Sequence, residues 1–121
     1  VEVSVPNKSE HSWILTVPKT VSWVDYQREL DAVADGSVVM NYRAAQIPRD
    51  MRAGDRCYVV HDGRVRGWMD VVGVVLKSEP WRCTTTGCVW PAGKYVQRSG
   101  PWHPVDGPAM QGFRGIRRYG P

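Results

Sequence analysis

The dipeptide Asp62-Gly63 constrains this chain more than any other feature. It lies between two stretches rich in strand-forming residues. A two-residue hairpin turn needs positive φ at both central positions, which Asp-Gly supplies at little steric cost. Cys57, Tyr58, Val59 and Val60 therefore read as an incoming strand, and residues 64–76 as its return. The return is long, so a bend or bulge is expected at Gly67 or Gly73. By period-two geometry Val65, Gly67, Met69 and Val71 are expected on one face, with Arg64, Arg66, Trp68 and Asp70 on the other.

Other segments order themselves around that hairpin. Trp13, Ile14, Leu15, Thr16 and Val17 read as a first, largely buried strand that Pro18 ends. Ser22 then has the position of a helix N-cap, with Asp25 three residues on. Trp23, Tyr26, Leu30 and Val33 fall on one helical stripe, and Gly36 is a natural stop, so a helix is expected over 23–34. Residues 38–43 read as a short strand or its approach. Residues 77–93 read as a long irregular loop, 94–98 as a strand, and Pro101, Pro104 and Pro108 as a stiff connector. The loop and connector together occupy 77–112. Residues 113–119 read as a closing strand. The expected fold is one α+β, mostly β domain over 1–121: a small pseudo-barrel of five to six strands with one main helix near the N-terminus.

No apolar run nears the ~20 residues of a membrane helix. Residues 1–7 lack the basic and apolar segments of a signal peptide. Three cysteines form no secreted disulfide framework. An intracellular, cytoplasmic location without membrane association follows as the expectation. Cys83 and Cys88 are spaced C-x4-C, and zinc would need two further ligands from Cys57, His61 or His103. No second pair is present, so no metal and no cofactor is expected.

Charge is uneven. Residues 1–60 hold seven Lys/Arg against eight Asp/Glu, whereas residues 61–121 hold nine against four, and seven of those nine are arginine. Arginine's planar fork suits phosphates and base edges. With six tryptophans in the chain, this is the composition of a nucleic-acid surface. The same charge also serves solubility alone.

The succession of a Trp-bearing first strand (Trp13), a helix, Gly54-Asp55 entering the next strand, and a return with Gly63, Gly67, Val71 and Gly73 resembles the PUA-like superfamily. Its EVE branch is the nearest likeness and its ASCH branch the next. The resemblance covers roughly residues 12–76. It implies a pseudo-barrel that binds RNA or DNA and holds a modified or flipped base beside the first helix. Ser22 and Trp23 then stand where one wall of such a pocket would be. Asn41, Tyr42 and Arg43 would supply the other wall and edge contacts. Arg64, Arg66 and Trp68 suit a phosphate backbone with a stacked base, and Arg114, Arg117 and Arg118 would extend the strip. Each has a structural alternative: Trp23 as a staple of the helix, Tyr42 as a sheet residue, and the arginines as cover for Trp68.

Two further readings come from other classes. ASCH-type amidohydrolases act on acylated nucleosides, and the resemblance would place Lys19, Thr20 and Glu79 in that chemistry, with the lysine activating a hydroxyl. Here the Lys-Thr pair follows Val17-Pro18 rather than closing a helix. A protein-binding accessory domain would use Trp81, Trp90 and Trp102 as anchors.

Overall fold

The structure is a computed structural model and describes residues 11–83 and 87–119. Residues 1–7, read above for a leader, and the loop residues 84–86 lie outside the described residues.

Among the described residues, eight strands and one helix follow in the order β1 (Ser12–Val17), α1 (Trp23–Ala32), β2 (Met40–Arg43), β3 (Arg56–His61), β4 (Arg64–Lys77), β5 (Trp81–Arg82), β6 (Val89–Trp90), β7 (Gly93–Pro104) and β8 (Ile116–Arg118). Six strands form one curled half-barrel sheet, ordered β2-β7-β4-β3-β1-β8. β5 and β6 form a separate two-stranded ribbon. The fold is α+β and mostly β, with one helix. β1 and β3 run parallel, since α1 and β2 intervene in the chain, and the remaining pairings are antiparallel.

Local chemistry sets the best-defined elements. His61 pairs with Arg64 across the hairpin, and Asp62 and Gly63 take φ of 50° and 78°, the two positive values of a primed turn. Ser22 caps α1, its hydroxyl accepting from the Asp25 amide at 3.4 Å. The helix ends at Ala32, two residues before the expected stop, because Val33 already leaves helical geometry and buries its side chain.

The hairpin's return strand is bulged beside both glycines. Val59 faces Gly67 but Val60 faces Val65, so Arg66 is an extra residue; two further shifts, against β7, fall between Trp68 and Asp70 and between Val71 and Gly73. The bulge corrects the expected facing. Val65 joins a cluster with Ile14 and Val60, whereas Met69 and Val71 join the main core with Leu15 and Val59. An extra residue reverses the alternation that an unbroken strand would keep.

The segment 77–112 is also corrected. β5 and β6 occupy part of the expected loop, and β7 runs on through most of the expected connector. Pro101 is tolerated there because Gly100, Pro101 and Trp102 fall outside the ladder, between the pairs Asp70–Ser99 and Trp68–His103, and Pro104, opposite Gly67, is the last residue of the strand. The closing strand shrinks to Ile116–Arg118.

The main core lies inside the curl. Trp13, Leu15 and Val17 of β1 meet Cys57 and Val59 of β3 and Val96 of β7, and α1 covers them with Tyr26 and Leu30. Leu30 is fully buried, worth about 1.5–3 kcal/mol. A smaller cluster on the other face packs Ile14, Val60 and Val65 beneath Met110, Phe113 and Tyr119. No helix among the described residues is long and apolar enough to cross a membrane.

Candidate functional site

The curled sheet does not close. Its edge strands are β2 and β8, and a cavity of about 530 Å³ opens between β2 and the segment leading into β8. Asn41, Tyr42 and Arg43 form one wall, and Phe113, Arg114 and Gly115 the other. The end of β1 with Pro18 and Val21 closes one side, and α1 contributes Tyr26 and Glu29. The gap continues past Ala44 and Gln46 opposite Ile116.

Arg98 of β7 lines this cavity and is 2% exposed. Its Nη1 donates to the Tyr26 hydroxyl at 2.9 Å, while its Nε has no hydrogen-bond partner. No carboxylate forms an ion pair with it among the described residues. A guanidinium stays protonated and offers only donors. Its nearest polar neighbours, Tyr26, Tyr42 and Cys57, carry no charge at neutral pH, and Glu29 in the same cavity acts on it without an ion pair among the described residues. Burial pushes the Cys57 thiol up to about 11, against the opposing pull of Arg98. Burial likewise raises the Tyr26 and Tyr42 phenols above their ordinary value of 10.0. A buried charge without a partner is costly, and a ligand that accepts hydrogen bonds offsets that cost.

The remaining lining suits a flat, partly polar guest. Tyr42, Phe113 and Trp90 bring aromatic surface, and the Trp90 indole nitrogen is a second buried donor without a partner. Glu29 is the one acidic residue lining the cavity among the described residues. Burial raises its carboxyl above the ordinary 4.5, Arg98 opposes that rise, and Asp25 adds to it. Arg43 and Arg114 are exposed at the rim; Arg43 also donates to the Ala92 carbonyl.

The structure thus brings Asn41, Tyr42, Arg43 and Arg114 together and sends the other expected residues elsewhere. Trp23 packs at 5.4 Å from Tyr26, 5.1 Å from His61 and 5.9 Å from Trp102, as a staple of the helix. Ser22 is the cap. Arg64 and Arg66 line a separate groove with Trp23, Trp102 and Asp106. Arg64 pairs with Asp106 at 3.1 Å. Arg66 donates to the His61 carbonyl and lies 5.6 Å over Trp23. Trp68 lies apart from that groove, stacked on His103 at 3.8 Å with the Arg56 guanidinium 4.1 Å from its ring. Its ring surface is engaged within the protein. Arg117 lies over Phe113, and Arg118 over Trp13 with an ion pair to Asp50. No continuous arginine strip results.

The residues of the hydrolase reading do not converge on the cavity. Lys19, Thr20 and Glu79 are all exposed, and only their neighbours Pro18 and Val21 line it. Trp81 and Trp90 pair across the ribbon and stand edge-on to Tyr95, while Trp102 packs on the far side against Gly67 and Trp23. They form no common anchor. Cys83 and Cys88 are joined by a 2.8 Å backbone hydrogen bond in the ribbon. No group of three or more His, Cys, Asp or Glu among the described residues is placed to hold a metal.

Sequence reasoning missed Tyr26, Glu29, Trp90, Phe113 and above all Arg98. One signal was present for Arg98: it sits two residues after Val96, on the inward register of the same strand. Comparisons with family models, with curated proteins and with solved structures find no match for the chain.

Proposed function

We propose that this protein binds nucleic acid and receives an unpaired or flipped base in the cleft between β2 and the segment before β8. The observation that carries the reading is the buried Arg98, unpartnered at Nε, on the floor of a cavity walled by Tyr42, Phe113 and Trp90. A base removed from its stack needs aromatic walls and hydrogen bonds to its edge. The lining offers both. Arg43 and Arg114 at the rim are placed for the flanking phosphates. The resemblance to PUA-like domains, with a base pocket beside the first helix, supports the same assignment.

The test is a titration of the folded protein against single-stranded and duplex RNA and DNA, with plain and modified bases, at two salt concentrations. Trp90 lines the cavity and its fluorescence reports occupancy. Tyr42→Ala is expected to weaken binding by about 1–3 kcal/mol through lost stacking. No binding to any of these polymers at low salt would refute the reading.

A further inference from the structure

We propose that the base read in this cleft is guanine, with Arg98 addressing its acceptor edge and Glu29 its donor edge; the inference rests on the base-binding reading above. Arg98 has one nitrogen, Nη1, committed to Tyr26, and its Nε is buried and unpartnered. Arg98 lines the cavity, so the guanidinium hydrogens not spent on Tyr26 are the donors that a ligand there would meet. An arginine fork matches two neighbouring acceptors, and guanine presents O6 and N7 side by side. Adenine sets a donor beside N7; unpaired cytosine has the adjacent acceptors O2 and N3, but only one donor group, its N4 amine, follows them, and uracil has no adjacent acceptor pair.

Glu29 supplies the complement. It lines the same cavity from α1, on the field of Arg98 but without an ion pair to it. A carboxylate accepts only, and guanine's next edge offers two donors, the ring N1–H and the exocyclic amine. One acceptor pair followed by one donor pair is peculiar to guanine among the common bases. The aromatic walls leave room for a purine in a cavity of about 530 Å³. The surrounding phenols and thiol are neutral, so Glu29 is the one negative group that shares the cavity with the guanidinium among the described residues.

The experiment uses single-stranded oligonucleotides of uniform background with one central position varied among guanine, inosine, 7-deazaguanine, adenine, cytosine, uracil and an abasic site. Guanine is expected to bind roughly 5–100-fold more tightly than adenine or the pyrimidines, the range one bidentate contact supports. Inosine lacks the amine and 7-deazaguanine lacks N7, so each binds less tightly than guanine. In Glu29→Ala, checked for an unchanged melting curve, the guanine–inosine difference is lost and the 7-deazaguanine difference persists. Free GMP competes and AMP does not. Equal affinity for all oligonucleotides, the abasic one included, overturns the guanine inference and leaves nucleic-acid binding standing. Preference for another base, or equal competition by GMP and AMP, also overturns it. Absence of binding to every oligonucleotide overturns the underlying reading itself.

Discussion

The Trp13 indole nitrogen donates to Asp55 Oδ2 at 2.8 Å, joining the first strand to the turn that opens the third. Asp55 is fully buried, and the same oxygen accepts from the Arg52 amide at 3.1 Å. Its backbone carbonyl accepts from Val71 at 2.8 Å. Asp55 therefore ties the turn to β1 through its carboxylate and to β4 through its backbone carbonyl. Asp55→Ala strands the buried Trp13 donor and the part-buried Arg52 amide and should cost about 1–3 kcal/mol. Trp13→Phe removes one donor and some area and should cost about 1–3 kcal/mol. Urea unfolding with an unchanged m-value measures both; a loss under ~0.5 kcal/mol for Asp55→Ala contradicts the role.

Gly67 is where Trp102 and the His103 carbonyl press against β4. A Cβ there collides with the backbone oxygen and the indole ring. Gly67→Ala should destabilise by about 1–3 kcal/mol through overpacking. Trp102→Ala in the same background should recover part of that loss, because it removes one of the two obstacles. Additive losses in the double mutant would argue against contact between them.

Glu29 gives the fold a pH dependence of definite sign. Its carboxyl is raised in the folded state by burial, with Arg98 opposing and Asp25 assisting. The folded protein then binds this proton more tightly than the unfolded chain. Stability is greatest below the ordinary carboxylate value of 4.5 and declines as pH climbs through the folded value. Glu29→Gln should remove this component, so its melting temperature relative to wild type should rise with pH across that window. The effect is small, because the carboxyl is half solvated and screened. A difference that falls with pH would reverse the assignment.

Arg43 and Arg114 flank the cleft and are exposed. Replacing both by alanine should lower nucleic-acid affinity and flatten the log K against log salt slope by up to about two. Arg64 and Arg66 are tied to Asp106 and the His61 carbonyl, so the same double replacement there should change the slope less. The reverse ranking would move the binding surface to the Trp23 groove.

What could be read in advance was local. The Asp62-Gly63 turn, the Ser22 cap and the Trp13–Val17 strand are each specified by a few neighbouring residues, and each stands where those residues put it. Asn41, Tyr42, Arg43 and Arg114, the first three named through the family resemblance, line the cavity. Arg98 was not legible in advance. Its burial depends on Tyr26, 72 residues away, and a linear chain shows a charge without showing what covers it. The Arg66 bulge was hidden for a similar reason: its register is fixed by β3, while the sequence of β4 alternates smoothly across it.

The open seam between β2 and β8 has a mechanical consequence. A closed barrel admits a guest to its interior through an open end, since between its strands every edge is paired. Here the cavity lies where no ladder exists. The two lips are held to the sheet only by the β2–β7 and β8–β1 pairings, so no ladder bond spans the seam itself. The size of guest this protein tolerates is then set by how far the sheet flexes, not by the circumference of a ring.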